Sequence, residues 1–159
     1  MIARLVLTAL SLGLLAICLS LNQPAVAYVL ETTATGQTLQ WPQSCVTWWM
    51  HEEGASMVGE EASREALRRS FDAWQEIDDL GVEFVEGGVT CHRAVGFDQG
   101  FGQQNIILWH NEAGSWPYTE RIIGLTTLTF DTESGEIVDV DMEFNGEDFK
   151  FATDGSPSG

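Results

Sequence analysis

The sequence predicts a mixed α/β domain: a twisted, mostly parallel sheet of five strands with one antiparallel edge strand and one long helix. A β-branched, aromatic strand is followed by a helix and then by further strands, the order that gives right-handed crossovers and parallel pairing. Asn105-Ile106-Ile107-Leu108-Trp109 is apolar on both faces, as in an interior strand covered above and below. Near the C-terminal end, residues 122–130 and 136–145 are joined by Asp131-Thr132-Glu133-Ser134-Gly135, hairpin chemistry that makes these two strands antiparallel.

The first strand is Cys45-Val46-Thr47-Trp48-Trp49-Met50, set off by the breaker Trp41-Pro42-Gln43-Ser44. The helix is read over 59–78, where Ala66, Leu67, Phe71, Trp74 and Ile77 recur at helical spacing and Arg64, Glu65, Arg68, Arg69 and Asp72 take the other face. Glu60 with Arg64, and Glu65 with Arg69, are spaced as i,i+4 pairs, and Gly81 is placed to close the helix in the left-handed conformation. Val82-Glu83-Phe84-Val85-Glu86 alternates like a half-buried strand that Gly87-Gly88 ends. In the last strand Val138, Val140, Met142 and Phe144 face one way and Asp139, Asp141 and Glu143 the other, so one face reads as core and one as acid.

Upstream of this domain, Arg4 precedes an apolar run from Leu5 to Leu21 that ends near Ala25-Val26-Ala27. A positive n-region, an apolar h-region and small residues at the cleavage position predict a secretory signal peptide over 1–27, hence an extracellular or periplasmic protein. Cys18 after Leu15-Ala16-Ile17 offers a competing lipoprotein reading, against which bulky Ile17 occupies a position that normally requires a small residue. Cleavage would leave 132 residues, enough for one domain. The expected organisation is signal 1–27, an N-terminal extension 28–44, one folded subdomain 45–150 and a flexible polar end 151–159.

Net charge is −17, and removal of Arg4 with the signal leaves 6 basic residues against 24 acidic ones. Such a surface repels nucleic acid and anionic lipid, so neither is an expected partner, nor is a membrane after cleavage; a monomer is expected. In an oxidising compartment Cys45 and Cys91 are the remaining pair, and a disulfide between them is expected, worth about 3–4 kcal/mol in the chain-entropy model. Two free thiols, or half of a metal site, are the alternatives. Of the tryptophans, Trp48, Trp74 and Trp109 read as core, while Trp41, Trp49 and Trp116 read as exposed and suited to stacking on sugars, although their spacing does not favour a sugar platform over packing.

The series Cys45-Val46-Thr47-Trp48, Ala73-Trp74 in the helix, Asn105-Ile106-Ile107, Trp116, Gly124-Leu125-Thr126 and the run from Gly135 to Asn145 resembles the N-terminal half of secreted matrixin-like metallopeptidases of the metzincin class. The likeness spans about Cys45 to Asn145 and rests on order and spacing. It implies the upper subdomain of that fold, a five-stranded sheet packed on two long helices, with the second helix missing here. It also implies an edge strand along which a peptide substrate lies by strand addition, placing Gly124, Leu125, Thr126, Thr127 and Leu128 in the substrate edge. In the family the second helix carries His-Glu-x-x-His-x-x-Gly-x-x-His, which binds zinc and activates water.

Zinc is therefore expected of a complete family member, whereas this sequence reaches Gly159 where that helix would begin. Its histidines, His51, His92 and His110, are separated by 41 and 18 positions, so no two share a helical turn and no catalytic residue carries over. His51-Glu52-Glu53-Gly54 begins like the motif but lacks a second histidine; His92 and His110 read as surface or hydrogen-bonded structural residues. Calcium, a structural ion of many matrixin-like enzymes, is an expected ligand of Asp139, Asp141 and Glu143, against the plainer reading of a solvated strand face. The resulting expectation is the front part of a secreted zinc metalloendopeptidase, inactive by itself. The alternative is a secreted, non-catalytic domain that binds peptides or a polysaccharide.

Overall fold

The computed structural model describes residues 29–78, 81–97 and 104–155, so the signal segment expected over 1–27 lies outside them. The chain divides into two units, Met1–Leu30 and Glu31–Gly159, and the regular elements among the described residues all lie in the second. In chain order these are β1 (Cys45–His51), α1 (Glu60–Gln75), β2 (Glu83–Thr90), β3 (Asn105–His110), β4 (Gly124–Phe130) and β5 (Ile137–Asn145). They form one five-stranded sheet in the order β2-β1-β3-β5-β4. All neighbours run parallel except β4, which pairs antiparallel with β5 at the sheet edge. The mixed α/β class read from the sequence is thus the observed one.

The hairpin behaves as its loop chemistry requires. Asp131 Oδ1 accepts the backbone N–H groups of Glu133 and Ser134, and Gly135 takes a φ of 79°, closing the turn onto β5. Residues 31–41, expected as an extension apart from the domain, join the sheet's rim. Gln40 bridges to Glu136 in parallel, and Thr32 pairs with Thr38.

Three local readings change. The helix stops at Gln75, where the N–H of Glu76 bonds back to the carbonyl of Asp72 and that of Ile77 to Trp74, so Gly81, although at φ 74°, does not cap it. β2 runs through Gly87-Gly88 instead of ending there: the register against β1 shifts between Trp48 and Trp49, and the Trp49 indole lies on Gly87 where a Cβ would come within 2.2 Å of the ring. Only a residue without a side chain at 87 leaves room for that ring, while Gly88 has open space beside it and takes a φ of 117° that other residues rarely adopt. The i,i+4 pairs are replaced by a clamp, with Arg64 and Arg68 both turned toward Glu86 of β2 and bonding its carboxylate.

The core lies on the face that α1 covers. Trp48, Met50, Ala55, Ile107 and Trp109 are buried there, with Leu67 and Phe71 of α1 and Phe84, Met142, Phe144 and Phe151 packed against them. Phe71 stacks on Trp48 with ring centroids 4.9 Å apart and meets Phe84 at 4.8 Å. Trp74, read as core, is 59 % exposed, because α1 packs through Leu67 and Phe71 and lifts away at its C-terminal turn. Among the described residues no helix is long and apolar enough to cross a membrane.

Candidate functional site

β5 sets the geometry. Its acidic residues lie on the opposite face of the sheet from α1, yet Asp139, Asp141, Glu143 and Asn145 are only 2, 1, 3 and 0 % exposed, while Val138, Val140, Met142 and Phe144 are half-buried. This corrects the expectation of a solvated acid face. The alternation was right; the side that is covered is the acid side. Segments following β2 and β3 cross it and bring polar hydrogens with them, which compensates the burial.

Asp141 accepts the N–H of Gly96 at 2.6 Å through one oxygen and that of Ile106 at 2.8 Å through the other. Beside it Asp139 bonds to Asp141, and burial together with the Asp141 charge pushes its carboxyl up to about 7. The Oδ2 of Asp139 has no partner among the described residues. Glu143 is held on both oxygens, by His110 Nε2 at 2.8 Å and by the Tyr118 hydroxyl at 3.0 Å. A carboxylate only accepts, so Nε2 of His110 carries the hydrogen of that bond. Burial, then the bond to Glu143, pushes the Tyr118 phenol above its ordinary value.

The three acids read as calcium ligands are thus gathered on one strand face, with both oxygens of Asp141 and of Glu143 already engaged by protein donors. Among the described residues no three His, Cys, Asp or Glu side chains are grouped so as to hold a metal ion.

His51 and His110 have different surroundings. His51 ends β1, buried; its Nδ1 accepts the N–H of Glu53 at 3.3 Å, and burial, then the nearby Arg93 charge, holds its pKa below the usual value. Arg93 bonds Glu53 and the carbonyl of Trp109, each at 2.9 Å, joining the segment after β2 to the ends of β1 and β3. His110 ends β3 and meets the edge of Trp116, a tryptophan expected to be exposed but buried beneath Tyr118. Glu53, Arg93, His110, Glu112 and Ser115 surround a polar cavity of about 350 Å³ at the carboxyl ends of β1 and β3. There the chain's connections diverge to either side of the sheet, the usual ligand position in open α/β sheets. Arg93 and Tyr118 were not singled out from the sequence, because their roles depend on two crossing loops that carry no periodic signal.

Cys45 and Cys91 are both exposed and free, which corrects the expected disulfide. The parallel register explains it: Cys45 pairs with Glu83 at the start of β2, while Thr90, at the other end, pairs with His51. The two cysteines therefore stand at opposite ends of a seven-residue strand, roughly 20 Å apart at strand rise, where a disulfide tolerates less than about 7 Å between Cα atoms.

The predicted edge residues do lie together on the edge strand β4. Leu125 and Thr127 share the acid face, paired with Glu143 and Asp141; Gly124, Thr126 and Leu128 share the α1 face, paired with Phe144, Met142 and Val140. Leu128 is 42 % exposed. A Cβ on Gly124 would come within 3.0 Å of the Phe144 ring, so the glycine permits that close packing.

Fold and site together define a mixed α/β sheet domain with an open antiparallel edge and a buried, hydrogen-bonded acid face. No family model matches the chain, and no curated protein or solved structure matches it.

Proposed function

We propose that this chain is the sheet-and-helix part of a secreted matrixin-like zinc metalloendopeptidase, with β4 as the strand that receives an extended peptide. The observation that supports the reading is the position of β4, which among the described residues is the one antiparallel strand of the sheet and pairs only with β5, at its edge. The outer row of N–H and C=O groups of such a strand adds a peptide as a further strand, and alternate side chains give selectivity. Thr126 and Leu128 would meet one face of that peptide, Leu125 and Thr127 the other. The helix α1 on one face of a five-stranded sheet with one antiparallel edge is the arrangement the resemblance implies for the part of the family fold it covers.

In this reading zinc supplies the activated water, and the residues of this chain bind and orient the peptide. Calcium is part of the same proposal, on Asp139, Asp141 and Glu143, and would have to displace the N–H, imidazole and phenol donors those carboxylates now hold. Equilibrium dialysis near millimolar calcium tests it, and no retention removes the ion from the proposal.

The peptide site is tested by titrating the ¹⁵N-labelled chain with extended peptides. Saturable shifts confined to the amides of β4, lost when the peptide backbone is N-methylated, are expected; unmoved β4 amides would end the strand-addition reading. Reading the gene beyond codon 159 for His-Glu-x-x-His-x-x-Gly-x-x-His tests the peptidase reading separately. Its absence there would leave a peptide-binding domain without catalysis.

A further inference from the structure

At the end of the sheet opposite the polar cavity, the starts of β1, β3 and β5 and the preceding loop enclose a second recess of about 180 Å³. Trp41, Gln43, Thr47, Trp49, Asn105 and Val138 are among the residues that line it, and no residue of its lining is charged. In a chain of net charge −17 that is a selective feature, since the cavity at the other end is ringed by Glu53, Arg93, His110 and Glu112. Two half-buried indoles, two side-chain amides and a hydroxyl describe a neutral ligand with one apolar C–H face and many hydroxyl groups.

We propose that this recess binds a neutral saccharide, with a sugar ring set against Trp49 and Trp41. The physical basis is the indole quadrupole, whose negative face attracts the partly positive C–H hydrogens on the flat face of a pyranose. Gln43, Thr47 and Asn105 supply the few polar groups that orient a ligand in such a pocket. Trp49 is preorganised: its indole rests on Gly87, whose missing side chain leaves the space that the ring occupies. Asn105 is fixed as well, donating to the carbonyl of Thr47 and accepting from the N–H of Val140, each at 2.8 Å. This site is separate from the edge strand β4 and does not depend on the peptidase reading.

The test follows the tryptophan indole N–H resonances of the ¹⁵N-labelled chain during titration with neutral glucose, xylose and N-acetylglucosamine hexamers, a uronic acid hexamer and an apolar tripeptide. Saturable movement of Trp41 and Trp49 with at least one neutral hexamer, and weaker movement with the uronate, is expected. Trp49→Ala should weaken binding about tenfold or more, as should Trp41→Ala. Gly87→Ala should do the same while keeping both tryptophans, because the new Cβ displaces the Trp49 ring. Trp74→Ala, on the exposed turn of α1, should leave binding unchanged. If Trp49→Ala fails to fold by circular dichroism, Trp41→Ala and Gly87→Ala decide. The proposal is overturned if no neutral hexamer moves either indole at millimolar concentration, or if only the uronate or the apolar tripeptide does.

Discussion

Burial of Asp139 beside a second carboxylate works against its ionised form. A carboxyl 2 % exposed beside Asp141 keeps its proton to about pH 7, whereas in the unfolded chain it loses it near 4. Between those values the native state binds the additional proton, so stability falls as pH rises through that window and is level above it. Asp139→Asn keeps a donor toward Asp141 and cannot ionise. Thermal unfolding should find the variant more stable than wild type at pH 8, by on the order of 3 kcal/mol, and matched to it near pH 3. A wild-type profile without decline between pH 4 and 7 would contradict this account. At the same scale, thiol titration of the folded chain should find Cys45 and Cys91 reactive, each being exposed and unpaired. The sequence showed both residues and their alternation but not their surroundings: the donors at Asp141 come from Gly96 and Ile106, 45 and 35 positions away.

Among the elements, α1 is held by two distinct contacts. Leu67 and Phe71 pack on Trp48 and Phe84, which the helical spacing predicted. Truncating Phe71→Ala should cost about 3 kcal/mol in denaturant unfolding, since the ring stacks on Trp48 and packs against Phe84. The second contact, Arg64 and Arg68 on Glu86, was not read from the sequence, which offered Glu60–Arg64 and Glu65–Arg69; within the helix the observed partners are Glu61 for Arg64 and Glu65 for Arg68. Charge spacing along one helix identifies neighbours on that helix, and it is blind to an acid that the parallel register of β2 sets beneath it. The Arg68 bond, with Arg64 beside it, holds the Glu86 carboxyl below the usual carboxylate range. Its contribution is therefore present above that range and lost as pH falls through the lowered value. Glu86→Gln should lower the midpoint of unfolding at pH 7, and the difference from wild type should shrink in acid; a constant difference across pH would mean that packing, not charge, holds the helix.

For the molecule as a whole, the sheet is covered unevenly. One face carries α1 over β1 and β2, and the other carries the loops that close over the acids of β5. Met142, Phe144 and Phe151 are only partly buried against Trp109, and Leu128 beside them is 42 % exposed. An environment-sensitive apolar dye should bind the native chain at this strip, and Leu128→Lys should reduce its fluorescence while leaving the unfolding midpoint within a few degrees. Unchanged fluorescence in that variant would place the dye elsewhere.

The sequence by itself determined the class of fold, the order of the described elements, the helix α1, the buried central strand β3 and the antiparallel β4–β5 hairpin, because each is set by local periodicity, apolar run length or turn chemistry. Only the tertiary structure decided which face of β5 is covered, that Cys45 and Cys91 stand a strand's length apart, and that Trp41 and Trp49 share one recess. A period of two separates the faces of a strand but is symmetric between them. The choice falls to register and to loops whose N–H groups can satisfy buried carboxylates, and those contacts join residues far apart in the chain.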